Sequence, residues 1–180
     1  MYMIASILAC DVNGGIGLNN SLPWPKLKHD FKHFANLTKN HIIVMGFNTF
    51  KSLNFTPLPN RFNIVLIKKN TVVDTKYCKG GNILFIDDSD FLKIIALKKS
   101  LYSPIKKNIF IIGGVKVFDT YEEYVDMMYI TRIFSAFEHD VYVKLDKLLK
   151  TFNDVLFKST IFEDNNIYYQ IESRMRNHYD

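Results

Sequence analysis

Short apolar runs alternate with segments of helical periodicity along most of the chain, and this alternation restricts the possible folds most strongly. The runs are four to eight residues long, are rich in Ile and Val, and cover residues 3–10, 41–45, 63–67, 83–86 and 109–112. Runs of this length indicate strands that are buried on both faces. The segments of helical period cover residues 26–37, 48–53, 89–98 and 115–124. Strands that alternate with helices predict an α/β fold with a central, mostly parallel sheet flanked by helices.

The C-terminal part of the chain follows a different pattern. Residues 128–133 and 167–173 are apolar enough to be strands, and the sequence between them predicts a loop without a helix. Two such strands in succession favour an antiparallel pair at the C-terminal edge of the sheet. The chain has 180 residues and contains no repeat or low-complexity linker. We therefore expect a single domain over residues 1–180.

A glycine-bearing loop over residues 11–24 follows the first predicted strand. Its three glycines permit positive φ angles and close backbone approach. The loop also contains Leu22 and Trp24, which are apolar side chains that a purely solvated loop would not keep. A long loop inside a compact domain is typical of a functional segment such as a lid over a ligand. The alternative is a crossover connection without a functional role.

The helix predicted after Trp24 carries a carboxylate inside an apolar stripe. Leu27, Asp30, Phe31 and Phe34 are spaced i, i+3, i+4 and i+7 and share one helix face. A buried, unpaired carboxylate costs several kcal/mol, so such a group acquires a raised pKa or a polar partner. Either outcome makes Asp30 a candidate functional residue. The alternative is an Asp at the edge of the stripe that reaches water.

A glycine pair, Gly113-Gly114, ends the apolar run at residues 109–112 and precedes the helix predicted from residue 115. Glycines that lead from a strand into a helix expose backbone amides where a phosphate can bind. The spacing of a full dinucleotide-binding motif is absent, so a tight structural turn is the alternative.

Taken in order, these segments resemble the dihydrofolate reductase family from residue 4 to about residue 171. The segments that carry the resemblance are IGLNNSLPW at 16–24, VMGFNTFKSL at 44–53, LPNRFNIVL at 58–66, IFIIGG at 109–114 and YITRI at 129–133. In the family, the bond between the two glycines is a cis peptide. The resemblance implies NADPH-dependent reduction of dihydrofolate to tetrahydrofolate, which supplies one-carbon carriers for thymidylate and purine synthesis.

The resemblance also implies roles for residues at the substrate end of the site. Asp30 and Thr131 would be the catalytic residues and would bind the amino-pyrimidine edge of the pteridine. Arg61 would pair with the α-carboxylate of the glutamate tail, and its alternative is a surface charge after a turn. The remaining substrate contacts implied by the family are Cys10, Leu22, Phe31, Phe34, Leu53, Leu58, Ile112 and Phe118.

The implied cofactor is NADPH, and its predicted contacts divide into two sets. Those that border the nicotinamide are Ala9, Ile16 and Gly17. Those that meet the rest of the cofactor are Gly46, Asn48, Thr49, Lys68, Gly113, Gly114, Val115, Lys116 and Val117. The family commonly has a basic residue after the glycine at 46, whereas this chain has Phe47 and Asn48. We expect Lys68 to serve the 2′-phosphate and Lys116 to offset the missing charge, with weaker cofactor binding than is typical.

The remaining expectations concern partners and location. A run of apolar residues at the N-terminus lacks a basic leader, and no stretch reaches the roughly 20 apolar residues that cross a bilayer. We expect a soluble, cytoplasmic monomer that binds dihydrofolate and antifolates, with no metal and no membrane partner. The net charge of +5 is scattered among acids, so no obligate nucleic-acid partner is expected. Two alternatives are a reductase of the same fold that acts on a pyrimidine or pterin intermediate, and a binding protein without catalysis.

Overall fold

The computed structural model describes residues 3–78, 81–100 and 103–176, apart from the side chains of Thr75 and Cys78. Its helices are α1 Lys28–Thr38, α2 Phe47–Ser52, α3 Asp88–Lys99, α4 Val115–Tyr121 and α5 Leu145–Thr151. Its strands are β1 Ile4–Cys10, β2 Gly15–Gly17, β3 Ile42–Gly46, β4 Phe62–Leu66, β5 Ile83–Ile86, β6 Ile109–Gly113, β7 Met127–Ile133, β8 Val141–Tyr142, β9 Asp154–Lys158, β10 Phe162–Asp164 and β11 Ile167–Met175. Two short 3-10 helices cover Thr75–Cys78 and Glu122–Tyr124. Across these ranges, none of the helices combines the length and the apolar character that spanning a bilayer requires.

The chain divides into two compact units. The first unit contains Met1–Ile4 and Thr38–Tyr124, and the second contains Ala5–Leu37 and Val125–Asp180.

The first unit is built on parallel strands in the order β6-β3-β4-β5. The strand interiors are apolar because helices pack on them: α4 contacts β6 and β3, and α2 contacts β3 and β4. Fully buried side chains such as Phe50, Phe91 and Ile111 form its core. The predicted α/β pattern of strands and helices is therefore confirmed in this unit.

The second unit contains the mixed part of the fold. Strand β1 pairs with β7 in parallel, and β7 pairs with β11 in antiparallel orientation, as the sequence predicts. The expectation of a helix-free connection between these two strands is wrong, because α5 lies between them. Strand β11 is also not the edge strand of the sheet, because β9 and β10 both pair with the side of β11 that faces away from β7. Helix α5 and strand β9 give no clear periodic pattern in the sequence, because α5 buries Leu148 alone and all five residues of β9 are exposed.

Two boundaries also differ from the sequence prediction. The helix expected over 115–124 becomes a 3-10 helix after Tyr121. The helix expected from residue 26 begins at Lys28, because its first backbone bond runs from Phe31 N to Leu27 O. A small sheet was not predicted at all: β2 pairs with β8 through Gly15–Tyr142 and Gly17–Val141. Strand β2 has the sequence Gly-Ile-Gly and strand β8 has only two residues, so neither gives an alternating apolar pattern.

Candidate active site

The structure brings Asp30 and Thr131 together in the second unit. Asp30 lies in the first turn of α1, and Thr131 lies in β7, where it is 3% exposed. The Thr131 hydroxyl donates to Asp30 Oδ1 at 2.6 Å. Burial raises the pKa of the Asp30 carboxyl, and the hydrogen bond from Thr131 opposes that rise only in part. Asp30 is thus a carboxyl with one protein donor in an apolar setting, as the helical spacing predicted.

A buried apolar cluster in the same unit borders the start of α1. It contains Trp24, Leu27 and Tyr169, together with Ile133 and Ile167. The indole Nε1 of Trp24 is buried and has no hydrogen-bond partner within the described residues. A buried donor without a partner normally marks a place where water or a ligand supplies the acceptor.

His33, one turn after Asp30, is half-buried. Its ring packs edge-on against Tyr129 with centroids 5.9 Å apart, and burial lowers the pKa of His33. His33 was given no role from the sequence, because it stands among the polar residues His29 and Lys32.

The apolar residues predicted to contact the substrate from the second unit are partly open to solvent. Leu22 is 45% exposed and Phe31 is 39% exposed, whereas Phe34 is half-buried. Large apolar side chains exposed on a helix beside a buried acid are typical of a ligand-binding surface. Lys26 Nζ lies 5.0 Å from the centroid of the Phe31 ring.

Two further predicted residues lie at the end of β1. Ala9 is opposite Thr131 in the β1–β7 ladder, and it packs against the Trp24 cluster. Cys10 is fully buried, and burial raises the pKa of its thiol to about 12. The thiol is therefore neutral at physiological pH, so a ligand contact by Cys10 would use its backbone.

The glycine loop is braced by a carboxylate that sequence analysis did not assign. Asp11 is 1% exposed and accepts hydrogen bonds from the amides of Gly15, at 2.7 Å, and Phe137, at 2.9 Å. Gly17 lies in β2 opposite Val141, and the predicted nicotinamide contact Ile16 precedes it in the same strand. An Asp that directly follows a buried strand and precedes glycines was the available signal. The bracing argues against an unstructured crossover.

The first unit gathers the glycines that the family resemblance assigns to the cofactor. The Gly113-Gly114 bond is cis, as the resemblance implied. A methyl group added at Gly46 would approach Val117 Cγ2 to 3.2 Å, and one added at Gly114 would approach Thr49 Oγ1 to 3.5 Å. A side chain would therefore crowd Val117 at Gly46, whereas at Gly114 it would make an ordinary van der Waals contact with Thr49.

The start of α4 is the predicted pyrophosphate contact. Gly114 occupies the cap position without a side-chain cap bond, and the amide of Val117 donates to Gly114 O at 2.9 Å. The predicted role therefore depends on the amides of residues 114–116, while Val117 contributes packing. Phe118 is 8% exposed and is the nearest side chain to a methyl group added at Gly113, at 3.4 Å.

The predicted cofactor residues with polar side chains lie at the surface of this unit. Lys68, Lys116 and Asn48 are all exposed. Phe47, which occupies the position where the family commonly has a basic residue, is 37% exposed and packs on Phe50 and Phe55. In the described ranges, no group of three or more His, Cys, Asp or Glu residues could hold a metal ion.

Arg61 is held in place by its own unit. Its Nε donates to Thr38 Oγ1 at 2.7 Å, and its Nη1 donates to Pro59 O at 2.6 Å. Partial burial lowers the pKa of Arg61, although a guanidinium keeps its charge at any physiological pH. Leu53 and Leu58 are both half-buried.

A buried amide organises the segment that carries Arg61. Asn63 is 0% exposed; its Oδ1 accepts from Leu58 N at 2.9 Å, and its Nδ2 donates to Leu58 O at 3.0 Å and to Arg61 O at 3.2 Å. Asn63 lies in the motif at 58–66, but no role for it was predicted from the sequence. Elsewhere in the unit, the β3–β6 ladder steps from Val44–Ile111 to Met45–Gly113 and passes over Ile112. This irregularity suits the predicted use of the Ile112 backbone as a ligand contact.

Comparison with known proteins gives a consistent result. The family model "Dihydrofolate reductase" matches residues 3–175. A dihydrofolate reductase of Ureaplasma parvum is 35% identical over 144 residues, which are 80% of this chain and 83% of that protein. A dihydrofolate reductase of Bacillus subtilis is 36% identical over 138 residues, covering 77% of this chain and 73% of that one.

Solved structures agree with the sequence relatives. The structure of a dihydrofolate reductase from Enterococcus faecalis, complexed with NADP(H) and RAB-propyl, aligns with a TM-score of 0.79 at 26% identity. The alignment covers 97% of this chain and 96% of that chain. The fold class expected from the sequence is therefore confirmed, and the chain belongs to the dihydrofolate reductase family.

Proposed function

We propose that Asp30 and Thr131 bind the pteridine in an enzyme that reduces dihydrofolate to tetrahydrofolate with NADPH. The observation that carries this proposal is the hydrogen bond from Thr131 to a carboxyl whose pKa is raised by burial. A carboxylate with free lone pairs binds an amino-pyrimidine edge through paired hydrogen bonds. Phe31 and Phe34, on the same helix, would contact the flat rings of the ligand, and Leu22 would add an apolar contact.

Protonation of the substrate is the second task of this end of the site. Hydride transfer to the pteridine also requires a proton on the adjacent ring nitrogen. We assign Asp30 the role of polarising the bound ring, while a water molecule delivers the proton. The unpartnered indole donor of Trp24 supports a bound water in this unit, because a buried N–H without an acceptor is costly.

Residues of both units fit the requirements of NADPH. When bound, the cofactor supplies the hydride. In the second unit we assign Ala9, Ile16 and Gly17 to the nicotinamide. In the first unit, Gly46, Gly113 and Gly114 present backbone without side chains, which suits close backbone approach by a phosphate.

We assign the preference for NADPH over NADH to polar residues of the first unit. We assign Lys68 to the 2′-phosphate and Lys116 to the pyrophosphate, with Asn48 and Thr49 nearby in sequence to the glycine at 46. Phe47 removes a positive charge at its position, so we expect NADPH to bind more weakly than in relatives with a basic residue there.

Arg61 is assigned to the α-carboxylate of the glutamate tail. Its hydrogen bonds to Thr38 Oγ1 and Pro59 O hold the side chain in one conformation, so less side-chain entropy is lost when a ligand binds. Leu53, Leu58, Ile112 and Phe118 are assigned to the substrate on the family resemblance.

The wider role follows from the reaction. We propose that residues 1–180 act as one enzymatic domain, which the single family match over 3–175 supports. We further propose that the protein is a cytoplasmic monomer that supplies one-carbon carriers for thymidylate and purine synthesis, and that antifolates bind to it at Asp30.

Replacement of Asp30 by Asn tests the central assignment. The variant should lose about two or more orders of magnitude in kcat/KM for dihydrofolate at neutral pH, because the amide replaces one acceptor and the charge by a donor. It should also bind methotrexate much more weakly. Asp146→Asn, an exposed position in the first turn of α5, is the matched control and should retain full activity. Near-normal turnover by Asp30→Asn would refute the assignment.

A further inference from the structure

The first turn of α1 is held by two side chains from outside the helix. Lys28 N donates to Asp164 Oδ2 at 2.9 Å, and His29 N donates to the Tyr169 hydroxyl at 3.2 Å. The Tyr169 hydroxyl in turn donates to Asp164 Oδ2. Two of the amides that a helix leaves unsatisfied at its start are therefore paired with side chains of β10 and β11.

The residue that normally caps such a helix cannot do so here. Leu27 accepts the first helical bond, from Phe31 N at 3.0 Å, so it occupies the cap position. A cap residue usually offers a side-chain oxygen to the amides of the first turn. Leu27 offers none, and it is 0% exposed within the Trp24 cluster. The acceptors must therefore come from elsewhere in the unit, and Asp164 and Tyr169 supply them.

The cap is built from groups whose ionisation states suit the task. Tyr169 is 0% exposed, and burial together with the Asp164 carboxylate raises the pKa of its phenol, so the hydroxyl remains a donor. The hydrogen bond from Tyr169 lowers the pKa of Asp164. His29 Nδ1 lies 3.3 Å from the Tyr169 hydroxyl and 3.7 Å from Asp164 Oδ2, and its ring stacks on Phe162 at 4.2 Å. A carboxylate at this end of α1 also interacts favourably with the helix dipole.

This cap lies next to the candidate catalytic carboxyl. Asp30 is the residue that follows His29, and its carboxyl is bound by Thr131 of β7. Strand β11 pairs with β7 so that Ile171 is opposite Thr131, and Tyr169 is on the same face of the strand, two residues earlier. Neighbouring strands thus hold the backbone before Asp30 and the carboxyl of Asp30 itself.

We propose that Asp164 and Tyr169 are positioning residues for the reaction: their cap on Lys28 and His29 fixes where the Asp30 carboxyl lies relative to its ligand. The proposal rests on the assignment of Asp30 to the pteridine. Without the cap, two backbone amides lose their acceptors, the first turn loosens, and water reaches the carboxyl more easily. A small displacement of a binding carboxylate is sufficient to weaken paired hydrogen bonds.

The chain supplies matched controls for this proposal on the opposite face of the same hairpin. Tyr168→Phe and Glu163→Gln make the same kinds of change as Tyr169→Phe and Asp164→Asn, at exposed residues that are paired with each other in the β10–β11 ladder. All four variants are assayed with NADPH and dihydrofolate across pH, and methotrexate affinity and unfolding temperature are measured on the same preparations.

We expect Tyr169→Phe and Asp164→Asn to raise KM for dihydrofolate and to weaken methotrexate binding, each by about tenfold. The pH midpoint of kcat/KM should also move downward, toward the ordinary pKa of Asp, because a better hydrated Asp30 ionises more easily. Tyr168→Phe and Glu163→Gln should match the unsubstituted protein in all three quantities.

The proposal is overturned if Tyr169→Phe and Asp164→Asn keep the KM, the methotrexate affinity and the pH midpoint of their controls, even if they unfold at lower temperature. Should Tyr169→Phe fail to fold, Asp164→Asn decides alone, because its neutral amide keeps the shape of the side chain but is a weaker acceptor for Lys28 N and the Tyr169 hydroxyl than the carboxylate is. Asp30→Asn in the same series separates the two proposals. If Asp30→Asn retains activity, the assignment of Asp30 to the pteridine fails. If Asp30→Asn loses activity but Tyr169→Phe and Asp164→Asn behave like their controls, only the positioning role fails.

Discussion

Asp30 carries a carboxyl that accepts a hydrogen bond from Thr131, and its raised pKa predicts an effect on the stability of the protein. Burial raises the pKa of Asp30 in the folded chain above the value in the unfolded chain. Below both values the carboxyl is neutral in both states. As the pH rises from the ordinary value through the raised one, the unfolded state ionises first and the free energy of unfolding decreases. Above the raised pKa, the ligand-free protein bears the full cost of this charge.

Asp30→Asn should raise the unfolding temperature of the ligand-free protein at pH 7, because the uncharged amide avoids that cost. A gain of about 1 kcal/mol would correspond to roughly 2–4 °C in a chain of this size. The difference should shrink as the pH is lowered toward the ordinary pKa of Asp, and thermal unfolding followed by circular dichroism measures it. Asp146→Asn should show no such gain, and a lower unfolding temperature for Asp30→Asn at pH 7 would be inconsistent with a raised pKa.

Arg61 gives a second prediction at the scale of the residue. Arg61→Lys should raise KM for dihydrofolate about tenfold with little change in kcat, because a lysine cannot form two parallel bonds to a carboxylate. Steady-state kinetics with dihydrofolate and with a reduced pteridine that lacks the glutamate tail separate the two contributions. The truncated substrate should be handled equally by both proteins; an equal loss with both substrates would place Arg61 outside the tail contact.

Some of these residues were predictable from the sequence and others were not, for a physical reason. Asp30 was found because helical spacing is local, and Thr131 followed from the family resemblance. Asp164 and Tyr169 were not found, since they lie 136 and 140 positions from the amides they cap. An apolar residue at a helix start, such as Leu27, indicates that a cap must come from elsewhere, but it does not indicate from where.

At the scale of the element, the glycine loop depends on close contact with the segment before β8. A Cβ added at Gly15 would lie 2.5 Å from His139 Nδ1 and 2.7 Å from His139 Cγ. Gly15→Ala should therefore destabilise the protein by about 1–3 kcal/mol, the usual cost of overpacking. Replacing His139 by Ala in the same chain should recover most of that loss, which denaturant unfolding of the single and double variants measures. Additive losses in the double variant would show that the clash with His139 is not the cause.

The helices and strands were predictable where buried apolar residues recur at regular spacing in the sequence. The five apolar strands of the N-terminal part and helices α1 to α4 follow from runs and spacing in the sequence. Helix α5 and strand β9 do not, because one buries a single residue and the other buries none. The C-terminal edge therefore had to be corrected by the structure, whereas the antiparallel pairing of β7 and β11 was predicted correctly.

At the scale of the whole molecule, the order of motifs decided the family more firmly than any single feature. A Gly-Gly pair, a buried acid or an arginine after a turn each permits a structural explanation when taken alone. Their succession along one chain does not, and the match over residues 3–175 and the TM-score of 0.79 agree with it. We expect the departure at Phe47 to weaken cofactor binding, whereas the hydrogen bond between Thr131 and Asp30 is present.

The most direct measurement mixes the purified protein with NADPH and dihydrofolate and follows the loss of reduced-nicotinamide absorbance, with and without methotrexate. The account predicts that NADPH is consumed in proportion to dihydrofolate, that methotrexate stops the reaction, and that NADH supports it less well. Binding of methotrexate without consumption of NADPH would instead indicate a binding protein that keeps the fold. Consumption that methotrexate does not affect would contradict the assignment of the substrate.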